Sequence, residues 1–266
     1  MARKARDISS SGVYHVILRS INQQQIFEDR DDFIKFIYIL SDCQKKYDFE
    51  IYAYCLMSNH IHILISYSKG TPGPVLQSIG VRFVTWYNKK YQRYGHLFQG
   101  RFISRAVESK NYFFRALFYI HENPVKAHIC RHAAEYPWSS YSSYLGQNDF
   151  LLDINTQKAI SLAGSAAELH RYWNNYSISL LENPDRANTD ESIFEIPSIQ
   201  KSLIDERALH QFSSITGCRS PSDFQNLPRS LRNEYIHKLH EAHLSYNQIA
   251  RYGGVSKTTV HRVLKH

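Results

Sequence analysis

Residues 49–67 read FEIYAYCLMSNHIHILISY. Two runs, 49–57 and 60–67, are dense in aromatic and β-branched residues, and Ser58-Asn59 between them has turn chemistry. They predict two strands joined by a tight turn. Towards the N-terminus, residues 12–22 (GVYHVILRSIN) have the same character and predict a first strand. Asp29, Asp31 and Asp32 then open a helix, because acidic groups suit its positive N-terminal end. Phe33, Phe36, Ile37 and Leu40 fall at helical spacing. Towards the C-terminus, TPGP (71–74) starts a second helix, with Leu76, Ile79, Phe83 and Trp86-Tyr87 on its buried side. Residues 100–106 predict a short strand. Residues 109–122 predict a helix ending near Pro124, since proline disfavours helical geometry in the residue before it. The order β-α-β-β-α-β-α predicts an α+β fold: an antiparallel sheet of split β-α-β plan with helices on one face.

Beyond this unit, residues 135–150 (EYPWSSYSSYLGQNDF) read as an aromatic, serine-rich closing segment. A helix is expected around 156–174, and residues 182–198, with Pro184 and Pro197, read as a linker. The chain has 266 residues, 43% hydrophobic and 21% charged, enough for a packed core. No apolar run approaches the ~20 residues that span a bilayer, and no signal-type stretch follows the basic start, so a soluble, cytoplasmic protein with no membrane partner is expected. Cys43, Cys55, Cys130 and Cys218 form no C-x-x-C pair and read as free thiols. The net charge is +8 over residues 1–148, −6 over 149–206 and +6 over 207–266. Two basic blocks flank an acidic connector, and basic blocks attract polyanions, nucleic acid above all.

His60-Ile61-His62 puts two imidazoles on one face of a strand, where they can chelate one cation. In isolation the pattern also fits two ordinary polar-face histidines. In the helix ALFYIHENP, Tyr119 and Asn123 stand four residues apart, one turn along the same face. Asn123 can complete the metal set through its amide oxygen, with Glu122 as the alternative third ligand, while Tyr119 presents a phenol beside the metal. A free phenol has a pKa of about 10 and is a weak nucleophile at neutral pH. A divalent cation can polarise a phosphodiester and orient it for attack. Attack by the tyrosine oxygen would keep the bond energy in a phosphotyrosine, so rejoining needs no nucleotide cofactor, and the chain contains no P-loop.

MSNHIHILI (57–65), GHLFQGRF (95–102) and YIHENPVKA (119–127) together resemble the signature of HUH-type single-tyrosine transposases. They are most similar to the REP-associated tyrosine transposase branch, as are the flanking YHVILRSINQQQIF (14–27) and WSSYSSYLG (138–146). The resemblance covers roughly residues 10–148. It implies a ferredoxin-like catalytic domain over 1–148, His60, His62 and Asn123 as ligands of Mg2+ or Mn2+, and Tyr119 as the nucleophile forming a 5′-phosphotyrosine. It also implies single-stranded DNA beside a small hairpin as substrate. A homodimer is compatible with it, the tyrosine helix then serving its own site or a neighbour's.

Residues 82–131 hold ten Lys/Arg against two acidic groups, interleaved with Phe83, Trp86, Tyr87, Tyr91, Tyr94, Phe98 and Phe102. Cations can track phosphates while rings stack unpaired bases. Lys89, Lys90, Arg93, Arg101 and Arg105 are the candidate phosphate contacts, the last two sharing a face of the predicted strand. The N-terminal Arg3, Lys4 and Arg6 form a basic arm.

Residues 149–206 read as a partly helical acidic connector and 207–266 as a second domain. In the latter, one helix ends near His243, Ser245 caps another, Gly253-Gly254 turns the chain and Ser256 caps a third. This resembles a helix-turn-helix whose last helix enters duplex DNA with its N-terminal residues leading. Lys257, Thr258, Thr259, His261 and Arg262 are the candidate readers. The competing functions are a catalytically silent DNA-binding regulator on the same fold and a metallohydrolase that uses water instead of tyrosine.

Overall fold

The computed structural model describes residues 8–147, 152–182 and 202–265. The basic arm and, beyond Glu182, the linker expected over 182–198 lie outside the described residues. Among those described, the hairpin read from 49–67 forms the middle of the fold: β2 (Glu50–Leu56) and β3 (His60–Ser66). Met57 N–H donates to the carbonyl of His60 at 2.9 Å and closes the Ser58-Asn59 turn. β1 (Val13–Arg19) adds to the other edge of β3, and β4 (Ile103–Ala106) adds to β1. The sheet is antiparallel in the order β2-β3-β1-β4, which is the ferredoxin-like plan.

Two helices make the crossovers. In α1 (Arg30–Tyr47), Asp29 accepts from the Asp32 N–H at 3.2 Å and Asp32 accepts from the Asp29 N–H, a reciprocal cap. α2 (Gly73–Lys90) carries Pro74 in its first turn, where the missing N–H costs no helical bond. Lys90 then reaches back to Asp29 at 2.7 Å and Asp32 at 2.8 Å, binding the end of α2 to the start of α1.

α1 and α2 do share one face, packing on Tyr14, Val16, Leu18, Ile61, Ile63 and Ile65. The expectation that helices occupy one face alone is corrected by α3 (Lys110–Lys126), which covers the other, against Val13, Ala53, Cys55 and Leu64. The reason is visible in the strands: most positions of β1, β2 and β3 are buried, so both faces need cover. α3 also runs on through Pro124 instead of stopping before it. The proline falls in the last turn, and Ala127 N–H to the Asn123 carbonyl at 3.0 Å completes that turn around it. After a short α4 (Tyr141–Tyr144), the single helix expected near 156–174 is two, α5 (Thr156–Ala163) and α6 (Ala166–Glu182). Gly164 at φ 102° ends α5 and the Ser165 hydroxyl caps α6. Both lie in the stretch read as a connector; α5 packs on β2 and α6 on α3, with Ala159, Ala163, Leu169 and Trp173 in one buried cluster.

The C-terminal helices are α7 (Ser202–Thr216), α8 (Pro221–Asn226), α9 (Arg229–Glu241), α10 (Tyr246–Tyr252) and α11 (Lys257–Leu264). They enclose a core of Phe212, Phe224, Ile236, Leu239, Ile249, Ala250 and Val260. Ser245 and Ser256 cap α10 and α11 at the expected positions. The glycine pair between them is sterically required: a Cβ on Gly253 would lie 2.9 Å from the Phe224 ring, and Gly254 has φ 61°. This bundle touches the turn that follows β1. Asn22 donates to the Val255 carbonyl at 2.8 Å, Arg251 bonds Gln23, and Ser222 donates to Glu28 at 2.6 Å.

Candidate active site

His60 and His62 project from the sheet face covered by α3, and their partners across β1 are Arg19 and Ile17. The two rings lie 5.0 Å apart between centroids and nearly perpendicular, at 89°. α3 supplies the other half of the site. Asn123 places Oδ1 3.1 Å from His60 Nε2. One turn earlier, the Tyr119 ring lies 5.4 Å from the His62 ring, and Tyr119 is 1% exposed. The sequence-predicted metal and tyrosine residues therefore meet within one chain. Glu122, the alternative third ligand, is used elsewhere: it accepts from Trp173 Nε1 and Ser177 Oγ, both at 2.9 Å.

The imidazoles are neutral. Burial drives His60 down to about 4, against the opposing bond from Asn123 and with help from Arg19. Burial, then His60, His15 and the cations Arg19 and Lys126, holds His62 well below the usual histidine range. A neutral imidazole has one N–H and one lone pair. His60 Nδ1 lies 2.6 Å from Asn59 Oδ1, an acceptor only, so Nδ1 carries the proton and donates to it. His60 Nε2 then directs a lone pair at the Asn123 oxygen. A cation between them removes that repulsion; without one, turning the Asn123 amide does so. His62 Nδ1 lies 3.0 Å from His15 Nε2, and donation along that line leaves His62 Nε2 as a lone pair. This atom is buried and has no hydrogen-bond partner among the described residues.

The donor set fits a divalent ion. Among the described residues no group of three or more His, Cys, Asp or Glu could hold a metal; the set here is two imidazoles and an amide oxygen. In an octahedron with bonds of 2.0–2.1 Å, adjacent donors stand about 2.8–3.0 Å apart, close to the 3.1 Å from His60 to Asn123. The orphaned His62 nitrogen could serve as a third donor. Neutral ligands would leave such an ion its full charge for an anionic substrate.

Several side chains that complete the site do not stand out in the sequence motifs. His15 fixes the orientation of His62 from the neighbouring strand. Asn59, read only as a turn residue, orients His60. Lys126 places its ammonium 4.6 Å from the centre of the Tyr119 ring. Arg19 acts electrostatically on both imidazoles and on Tyr119. The available signal was alternation: His15, Ile17 and Arg19 share one face of an otherwise apolar strand.

The candidate phosphate contacts separate. Arg105 pairs across the sheet with His15 and faces the site. Arg101 precedes β4, exposed, so the two arginines do not share a strand. Lys89 is exposed, whereas Lys90 is occupied by Asp29 and Asp32. Arg93 is buried and bonds Gln225 of α8, because it packs beneath the C-terminal bundle. On α11, Lys257, Thr258, His261 and Arg262 are exposed, while Thr259 is half-buried with its hydroxyl 2.8 Å from Ser256 Oγ.

Comparison with known proteins gives three likenesses. The solved structure of a REP-associated tyrosine transposase bound to a REP hairpin is 15% identical, covering 59% of this chain and 96% of that one, with a TM-score of 0.49. A transposase structure from Deinococcus radiodurans is 18% identical, covering 41% of this chain and 89% of that one, with a TM-score of 0.30. No curated protein matches. Residues 9–123 match the sequence family described as "Transposase IS200 like". That span runs from the residues before β1 to Asn123 and contains His60, His62 and Tyr119, so the part of the chain that carries the site is similar to the IS200-like transposases.

Proposed function

We propose that this protein is a metal-dependent enzyme that cuts and rejoins single-stranded DNA at hairpin-associated sites, with Tyr119 as nucleophile. The observation that carries the reading is the convergence of the Tyr119 ring with the His62 ring at 5.4 Å, beside the His60–Asn123 pair. His60, His62 and Asn123 would hold Mg2+ or Mn2+, which when bound polarises the phosphodiester and orients it for in-line attack. The chain's own part is positional. α3 holds the phenol over the sheet, and His15 and Asn59 keep the two ligand nitrogens deprotonated towards the ion. Arg105, Arg101 and Lys89 would contact the strand's phosphates. Lys257, Thr258, Thr259, His261 and Arg262 on α11 would contact the duplex stem, so that two parts of the molecule read two parts of one substrate. The similarity of the motifs to REP-associated transposases suggests short genomic palindromes as targets. The silent-regulator reading lacks a specific observation in its favour, since the His60/His62/Tyr119/Asn123 set is intact and assembled.

The test is incubation with end-labelled, hairpin-bearing single strands and Mn2+. The reading expects nicking with protein bound to the 5′ end of one product, and neither in Tyr119→Phe. Cleavage that survives Tyr119→Phe would favour a water-using hydrolase; binding without cleavage in the parent would favour the regulator. Lys257→Ala with Arg262→Ala should weaken duplex binding and leave nicking of a short single strand intact.

A further inference from the structure

We infer that Arg19 is a catalytic residue of strand cleavage, its guanidinium holding a non-bridging oxygen of the scissile phosphate beside Tyr119. The inference rests on Tyr119 being the nucleophile and adds a group that the metal and tyrosine motifs do not contain.

Arg19 is the last residue of β1 and the cross-strand partner of His60. Its backbone is fixed on both sides: its carbonyl accepts from the Gln99 N–H at 2.8 Å, and Ser20 N–H donates to Asn59 at 3.0 Å. The guanidinium is therefore carried on rigid elements next to the residue that orients His60. Its field reaches both imidazoles and Tyr119. The side chain is half-buried, its Nε is shielded from water without a hydrogen-bond partner, and no carboxylate pairs with it among the described residues. Arg105, the cross-strand partner of His15, repeats the pattern, with a shielded and unpartnered Nε. Two guanidiniums on one sheet face, beside neutral imidazoles and without a counter-charge among the described residues, define a place for an anion. Leaving a charged donor shielded and unpaired is costly, and a planar guanidinium matches the oxygens of a phosphodiester.

In the step concerned, the Tyr119 Oη–P bond forms and the P–O3′ bond breaks. The electron pair of that bond goes to the 3′ oxygen, which ends protonated as the phenol loses its proton. The phosphate stays on the 5′ side, bound to tyrosine. Arg19 opposes the charge that the non-bridging oxygens carry through this exchange, the role in which a well-placed donor contributes most.

The experiment uses the full chain with Arg19→Gln and Arg19→Lys, and Tyr119→Phe as reference. Binding of a cleavage-site single strand is first measured in EDTA over a range of salt. Loss of one phosphate contact should make the log K against log [salt] slope shallower by about 0.7 in Arg19→Gln, with Arg19→Lys close to the parent. With Mn2+ added, adduct formation should slow on the order of 10²–10³-fold in Arg19→Gln and by less in Arg19→Lys. Mn2+ affinity should be equal or tighter in both, because a cation next to the ligands has been removed or kept in kind; a merely structural role would weaken it. A parent-like salt slope and adduct rate in Arg19→Gln overturn the inference, as does a parent-like rate in Arg19→Lys alongside an unchanged slope in Arg19→Gln. Adducts persisting in Tyr119→Phe would sink the nucleophile assignment instead, and the metal-free slope would still decide whether Arg19 holds a phosphate.

Discussion

At the residue scale, the site depends on protons being in the right places on three buried imidazoles. His15 contributes no direct ligand atom in the proposed site, yet its 3.0 Å contact sets which His62 nitrogen is left as a lone pair. Replacing it with phenylalanine keeps a ring of similar shape and removes the acceptor. His15→Phe should lower Mn2+ affinity about 10- to 100-fold, the usual cost of losing such a support, and calorimetric titration would show it; parent-like affinity would mean that His15 is ordinary core. That His60, His62 and Asn123 come together was legible, because the two histidines alternate on one strand and Asn123 stands one helical turn from Tyr119. His15 and Arg19 were not, because their role arises from β1 lying between β3 and β4, and no local spacing encodes a neighbouring strand. Lys90 and Arg93 show the converse. Both looked like DNA contacts in a basic, aromatic stretch, but α1 supplies Asp29 and Asp32 for one and α8 supplies Gln225 for the other.

At the element scale, the hairpin of β2 and β3, the capped α1 and the serine-capped α10 and α11 follow from local chemistry, and their bounds were readable. Two helices were misjudged for opposite reasons. Pro124 was weighed as a stop, although a proline this near a C-terminus costs little once Ala127 bonds the Asn123 carbonyl. Gly164 lies inside the single helix expected around 156–174, and its φ of 102° breaks that stretch into α5 and α6. The turn between α10 and α11 offers a quantitative check. Gly254→Ala forces an L side chain into a left-handed conformation and into Pro221, and should destabilise the C-terminal bundle by at least about 1–2 kcal/mol. Ser256→Ala, which removes the cap of α11, should cost about 1 kcal/mol. Denaturant midpoints measure both, and a neutral Gly254→Ala would contradict the packing of this turn.

At the scale of the whole molecule, both sheet faces are covered, and the core encloses histidines that stay uncharged. His15 and His121 are held down to about 3 by burial and His60 to about 4, against 6.5 when free. Each therefore binds a proton more readily unfolded than folded. Their contribution to stability is complete above pH 6.5 and declines as the solution is acidified towards pH 4 and 3, by about 1.4 kcal/mol per pH unit for each group at the steepest. Metal-free protein should accordingly show a steep fall in its urea midpoint between pH 6.5 and 4. A flat profile across that range would place these imidazoles in contact with water.

The account stands most directly on the identity of the atom that joins DNA. Parent protein, Mn2+ and a hairpin-bearing single strand are combined, the product is digested with protease, and the nucleotide-bearing peptide is sequenced by mass spectrometry. A 5′-phosphoryl group on Tyr119 is expected, absent when EDTA replaces the metal. A stable adduct on any other residue, or efficient cleavage with Tyr119 unmodified throughout, would contradict it.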